Sequence, residues 1–182
     1  MKNITTSNLI FCTFFLCIIV VVFSCKQEVK EKSKLPQPDS EVLKSEYFTN
    51  NQVLQLKSDI INNGDDYSFA LLTIYYGYNP KKKHELLPFS MIMADKFKIK
   101  EAYYQVYLAF ESIYDIKKEG FHFLNSLSKS KQEFVFDYLW QGVRVNDLPC
   151  IKLLQKCYAE GVGVKVDKKI ADRLSIKIKN FK

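Results

Sequence analysis

Apolar residues recur at helical spacing from about residue 50 to the C-terminus, and polar residues occupy the opposite faces. This period predicts helices over 52–62, 85–97, 100–114 and 133–143, and two more that begin after Asp147 and Asp167. The 133–143 stretch is apolar on two sides, which is typical of a helix buried between neighbours. The sequence therefore predicts one all-α domain over residues 41–182, long enough to bury a single core.

The last two predicted helices form the best-defined unit. Asp147 supplies a capping oxygen, and Pro149 suits the first helical turn. Gly161 and Gly163 favour the positive φ angles of a turn, and Asp167 can cap the helix that follows. This is the pattern of a helix hairpin. Its apolar stripes are Cys150, Leu154, Cys157 and Tyr158 on the first helix and Ile170, Ala171, Leu174 and Ile178 on the second.

The spacing of this unit resembles the Sel1-like repeat, a relative of the tetratricopeptide repeat. Cys150 takes the usual alanine position of the family pattern. The residues that match in register are Tyr158, Gly161, Gly163, Val164, Asp167 and Ala171.

Two earlier segments repeat only the first half of the pattern, and both lack its glycine turn. They are Gly64, Asp65, Ser68, Leu72 and Tyr76, and then Ala102, Val106 and Phe110. The second of these units carries an insertion over 116–130, whose apolar residues Phe121, Phe123, Leu124 and Leu127 predict that it packs. The resemblance covers about 120 residues and implies a short α-solenoid of about three repeats behind a capping helix at 52–62.

The N-terminus has the pattern of a lipoprotein signal peptide over residues 1–24. Lys2 precedes an apolar run over 9–23, and Ser24 stands directly before Cys25. The pattern resembles the bacterial lipobox, which implies that Cys25 is lipidated and becomes the first residue. The alternative is an uncleaved membrane anchor, although about fifteen apolar residues are fewer than the roughly twenty that span a bilayer. Residues 25–40 are polar and predict a disordered tether.

The two cysteines of the domain, Cys150 and Cys157, are predicted to be free thiols. A separation of seven residues on one helix is about 10.5 Å along the axis, whereas a disulfide needs Cα atoms within about 7 Å.

The domain shows no catalytic motif, and we expect no cofactor and no metal. His84 and His122 have no partner at the spacing of a known zinc or nucleophile motif, so surface positions are the simpler interpretation. The three consecutive lysines 81–83 are the densest basic cluster, and a solvated loop explains them better than a nucleic-acid site. The sequence therefore predicts neither an enzyme nor a nucleic-acid-binding protein.

Aromatic residues supply the candidate binding site. Tyr103, Tyr107 and Tyr114 form a line with Phe110 along the 100–114 helix, and Tyr75 lies on an earlier helix. One hypothesis makes these four tyrosines a partner-binding face, because the first helices of such repeats line the inner side of a solenoid and tyrosine is favoured at interfaces. The alternative is that the tyrosines pack in the core.

These features together favour a membrane-tethered protein-interaction module in the bacterial envelope, held by lipid at the outer membrane. Its partner is an unknown protein or peptide, and the resemblance suggests an immunity protein or a scaffold for an envelope complex. The orientation, towards the periplasm or the cell surface, stays open. The alternatives are an enzyme or enzyme subunit acting on envelope lipid or glycan, and a structural spacer.

Overall fold

The computed structural model describes residues 48–115, 117 and 119–181. Across these residues the chain forms seven α-helices and two 3-10 helices, without a strand. The α-helices are α1 (Asn50–Asn63), α2 (Asp66–Gly77), α3 (Leu87–Asp95), α4 (Lys100–Tyr114), α5 (Lys129–Arg144), α6 (Leu148–Glu160) and α7 (Lys168–Lys179). The first 3-10 helix is Pro80–Leu86 and the second is Gly120–Ser126. The predicted signal peptide, Cys25 and the tether lie outside the described residues.

Side-chain caps fix where four of the helices begin. Asp65, Asp147 and Asp167 accept hydrogen bonds from the backbone amides three residues later, at 2.6, 3.1 and 3.0 Å. Thr49 and Gln52 form a reciprocal capping box at the start of α1. The predicted capping roles of Asp147 and Asp167 are confirmed.

The turn between α6 and α7 has the predicted left-handed glycines. Gly161 has a φ of 75° and Gly163 a φ of 69°. The amide of Asp167 donates to the carbonyl of Tyr158 at 3.0 Å, which closes the turn.

Three helices begin elsewhere than their patterns predicted. The predicted 52–62 helix starts two residues earlier, at Asn50, directly after the Thr49 cap. The predicted 85–97 helix starts at Leu87 as α3, because the 3-10 helix runs up to Leu86 and Pro88 is accommodated only in a first helical turn. The predicted 133–143 helix starts four residues earlier, at Lys129, where polar side chains hide the helical period.

Direct contacts join α1 with α2, and each of α3 to α6 with the helix that follows it. Helices α2 and α3 are linked mainly through the first 3-10 helix, which contacts both. Contacts between helices two apart are α1–α3 and α4–α6. The core runs through all of these helices. Its fully buried side chains include Ile60, Leu72, Tyr76, Met93, Val106, Leu124, Val135, Leu139, Ile151 and Leu154.

Helix α5 buries two sides, as predicted. Val135 and Leu139 are completely buried, and Phe136 and Val143 are 7% exposed. A Cβ atom at Gly142 would lie 2.5 Å from the sulfur of Cys150, so α5 and α6 approach closely there. Both cysteines of α6 are free and completely buried, which confirms the prediction for Cys150 and Cys157.

The predicted insertion packs into the domain. Within the second 3-10 helix Phe123 is 2% exposed and Leu124 is fully buried. Gln132 of α5 donates to the carbonyl of Leu124 at 2.8 Å, and the amide of Gly163 donates to Asn125 at 2.7 Å. These bonds hold the 3-10 helix between α5 and the α6–α7 turn.

Candidate functional site

A groove of about 460 Å³ opens on the surface where α4, the second 3-10 helix and α6 meet. We call it the α4–α6 groove. Two tyrosines from α4 and one phenylalanine from the 3-10 helix face five residues of α6. Its lining is Tyr104, Tyr107, Phe121, Leu148, Pro149, Lys152, Leu153 and Lys156.

The floor of the groove is aromatic. The rings of Tyr104 and Tyr107 stack with centroids 5.5 Å apart and an interplanar angle of 27°. Tyr107 is only 3% exposed, and its hydroxyl donates to Glu111 at 3.0 Å. Burial, and then the negative charge of Glu111, raise the pKa of both tyrosines, so both phenols stay protonated at neutral pH.

The rim of the groove is cationic. Lys152 and Lys156 are exposed and lie one turn apart on α6, about 6 Å along its axis at 1.5 Å per residue. Neither lysine lies within 4.0 Å of a carboxylate among the described residues. Both ammonium groups are therefore available to an anionic ligand.

Two sets of contacts position the walls. Asp147 is 3% exposed and caps α6, and burial raises the pKa of this carboxyl. On the opposite wall the ring of Phe121 lies 4.4 Å from that of His122, whose Nε2 is 3.9 Å from a carboxylate oxygen of Glu160. The 3-10 helix is thus tied to the C-terminal end of α6, and Phe121 is held across from the lysines.

The structure corrects the predicted tyrosine face. Tyr103 is 2% exposed, and its hydroxyl donates to the carbonyl of Ala94 in α3 at 3.1 Å. The predicted partner-binding role of Tyr103 is wrong, because this side of α4 packs against α3. Tyr107 is equally buried but contributes to the floor of the groove. The core interpretation therefore holds for Tyr103, and Tyr107 serves both the core and the groove.

The other two predicted tyrosines lie away from the groove. Tyr114 packs on Phe110 with ring centroids 4.9 Å apart, and the Nζ atom of Lys131 lies 4.5 Å from the Tyr114 ring centroid. Tyr75 packs edge-on against Phe48 at 5.7 Å. The four tyrosines do not form one continuous face.

The sequence-based hypothesis missed most of the residues that line the groove. Tyr104 is three residues from Tyr107 and so shares its side of the helix. Lys152 and Lys156 are recognisable as a pair on the exposed face of α6, but nothing in the pattern places that face beside Tyr104. The missing information was the α4–α6 contact, which is a tertiary one.

Metal and membrane-spanning features are not found in the described part of the chain. Residues 48–115, 117 and 119–181 bring together no group of three potential metal-ligating side chains. The helices among them are too short or too polar to cross a bilayer. His84 is exposed and His122 is half-exposed, as the surface interpretation predicted.

Comparison with protein-family models, curated proteins and solved structures finds no match for this chain.

Proposed function

We propose that the protein is a membrane-tethered interaction module, a short Sel1-like solenoid that binds a segment of another protein in the α4–α6 groove. Lipid on Cys25 would hold it at the bacterial envelope, most simply at the outer membrane. An immunity protein and a scaffold of an envelope complex would both use the groove in this way.

The observation that carries the proposal is the composition and position of the groove. Stacked tyrosines form its floor and lysines form its rim. In the proposed solenoid, the two helices that build it, α4 and α6, would be the first helices of successive repeat units. First helices line the inner face of a solenoid, where such folds bind extended partners. Rigid aromatic side chains supply contact area at low entropic cost, which favours binding.

The order of helix contacts supports the solenoid part of the proposal. Contacts between helices join chain neighbours or helices two apart, α1–α3 and α4–α6, except that α2 and α3 meet mainly through the 3-10 helix between them. Such short-range contacts are compatible with a linear stack of helix pairs.

Site-specific photocrosslinking in cells tests the groove directly. A photoreactive amino acid replaces Lys152 in one variant and Tyr67 in the control, since Tyr67 is 47% exposed on α2 and does not line the groove. We expect a defined partner to crosslink from position 152 and not from position 67. Equal capture from both positions, or none from position 152, would refute the groove as the binding site.

A second variant measures the contribution of the aromatic floor. Tyr104→Ala should weaken binding of the captured partner about thirtyfold or more, because truncation of an aromatic anchor that is buried in an interface costs about 2 kcal/mol or more. Circular dichroism should show unchanged helix content. Binding at wild-type affinity would exclude Tyr104 from the interface.

The anchor has its own test. Cys25→Ala should abolish incorporation of labelled fatty acid and move the protein out of the membrane fraction. Unchanged labelling would contradict the proposed lipid anchor and would leave the groove proposal unaffected.

A further inference from the structure

The charges around the α4–α6 groove are distributed unevenly. Three acidic groups near it have a contact within the domain: Glu111 accepts the hydroxyl of Tyr107, Glu160 lies beside His122, and Asp147 is buried as the cap of α6. Near Asp147, the charges of Lys100 and Glu101 act with opposite signs. Lys152 and Lys156 have no such contact among the described residues. The mouth of the groove therefore presents two available positive charges.

The groove is open along one side. Pro149, Lys152 and Lys156 are exposed at its edge, whereas Tyr107 and Leu153 are buried at its base. Small-molecule sites enclose most of their ligand's surface. An open groove instead contacts one side of its ligand, which suits a chain segment that continues at both ends.

We infer that the groove selects an acidic segment of a partner protein, with one apolar side chain on the tyrosine floor and two carboxylates at Lys152 and Lys156. The inference rests on the proposed function and specifies the chemistry of the partner. The lysines are about 6 Å apart along α6, which matches the spacing of two residues in an extended chain at about 3.3 Å per residue. The simplest segment therefore has two acidic residues separated by one residue of any type, with an aromatic or aliphatic anchor beside them.

The test uses three fluorescent peptides of about ten residues, each with one phenylalanine as the apolar anchor. In the acidic peptide, two Asp residues separated by one residue stand beside the phenylalanine. The other two peptides carry Asn or Lys at these two positions. Titration with the full-length protein in detergent micelles should give the acidic peptide about tenfold tighter binding than the Asn peptide at low salt. The advantage should shrink at high salt because exposed ion pairs are screened. Equal binding of the Asp and Asn peptides would overturn the inference.

A charge-reversal variant separates the groove from the general positive charge of the protein. Lys152→Glu combined with Lys156→Glu should remove the preference for Asp and make the Lys peptide the tighter ligand. The matched control, Lys168→Glu combined with Lys169→Glu, reverses two exposed lysines at the start of α7. This control should keep the wild-type preference within about twofold. Loss of preference in both variants would attribute binding to net charge and overturn the inference.

The same titration in mixed micelles that contain phosphatidylglycerol distinguishes an anionic lipid surface from an acidic segment. The anionic lipid should not displace the acidic peptide from the groove, and displacement without peptide selectivity would overturn the inference. Crosslinking from position 152 is independent of these peptides. If a partner crosslinks there but the peptides show no preference for Asp, the acidic ligand is refuted and the proposed function stands.

Discussion

The first and last helix pairs in sequence, α2–α3 and α6–α7, carry similar apolar stripes on their first helices but are connected in different ways. Leu72 and Tyr76 on α2 correspond in spacing to Leu154 and Tyr158 on α6. Both leucines are completely buried. Helix α6 packs directly on α7, whereas α2 and α3 are joined mainly through the first 3-10 helix, which contacts both. The same stripe on the first helix therefore occurs with two different connections to the second.

The last connection is part of the packing. A Cβ atom at Gly163 would lie 2.9 Å from the ring of Phe136 on α5 and 3.1 Å from Leu124 of the second 3-10 helix. The amide of Gly163 also bonds Asn125. This turn packs against α5 and the second 3-10 helix. Its glycines are required because both have a positive φ, and because a side chain at Gly163 would overlap its neighbours.

The first connection has neither feature. A 3-10 helix that begins at Pro80 replaces the glycine turn, and the nearest glycine, Gly77, lies within α2 with open space around its Cα. Side chains close the connection instead. Tyr76 donates to Glu85 at 2.9 Å, and Asn79 donates to the carbonyl of Tyr75 at 2.8 Å.

The largest expected effect comes from the glycines of the two pairs. Gly163→Val should lower the free energy of unfolding by about 3 kcal/mol or more, because it combines a positive φ with overlap against Phe136. Gly77→Ala is the matched control and should change stability by about 1 kcal/mol or less, in the stabilising direction, since alanine favours a helix. Urea unfolding of the purified protein measures both.

A small effect of Gly163→Val would mean that the last turn can rearrange as freely as the first. A large loss in Gly77→Ala would show that the first connection is as tightly packed as the last. Either result would remove the contrast between the two pairs.

The second prediction concerns stability at alkaline pH. The last pair has buried thiols that can titrate there, whereas a serine takes the place of Cys150 in the first pair. Burial raises the pKa of Cys157 from 9.0 to about 12. Below pH 9 the thiol is protonated in both states, so its contribution is intact. Between pH 9 and 12 the unfolded chain loses the proton first, and the free energy of unfolding falls by up to about 1.4 kcal/mol per pH unit.

Cys157→Ala should therefore lower stability at pH 7 but show a shallower decline above pH 9 than the wild type. Val162→Ala, a core truncation in the same pair without a titrating group, should keep the wild-type slope. Parallel slopes in the wild type and Cys157→Ala would contradict the buried, protonated thiol.

Much of this fold could be predicted from the sequence because local signals agree with the tertiary structure. The helical period placed α4 correctly at both ends, and Asp147, Asp167 and the two turn glycines defined the last pair. Pro80 and Pro88 explain why the start of α3 was placed too early. At such positions the backbone limits of proline outweigh apolar spacing.

The candidate site was less predictable because it depends on which side of α4 faces which neighbour. Tyr103, Tyr104 and Tyr107 are alike in residue type, yet Tyr103 bonds the backbone of α3 whereas Tyr104 and Tyr107 line the groove. The choice between core and groove depends on which neighbour each tyrosine meets along α4: α3 at Tyr103, and α6 at Tyr104 and Tyr107. A single sequence does not contain that information.

The third prediction is that the two pairs depend equally on their acidic caps. Asp65→Ala and Asp167→Ala should each cost about 1 kcal/mol, because each carboxylate accepts the amide three residues later at the start of its helix. Asparagine at either position should restore most of the loss. If only Asp167→Ala is destabilising, the two pairs would differ in their helix starts as well as in their turns.

The smallest expected effect distinguishes the corresponding tyrosines of the two pairs. Tyr76 is 1% exposed and its hydroxyl donates to Glu85, so Tyr76→Phe should cost about 1 kcal/mol and leave that carboxylate with only Lys57 at 4.0 Å. The hydroxyl of Tyr158 only accepts a long bond of 3.4 Å from Trp140, so Tyr158→Phe should cost less than about 0.5 kcal/mol. Chemical denaturation of both variants against the wild type resolves the difference. Equal losses would mean that the first connection does not depend on its tyrosine–carboxylate bond, and the two connections would then be equally tolerant of losing a tyrosine hydroxyl.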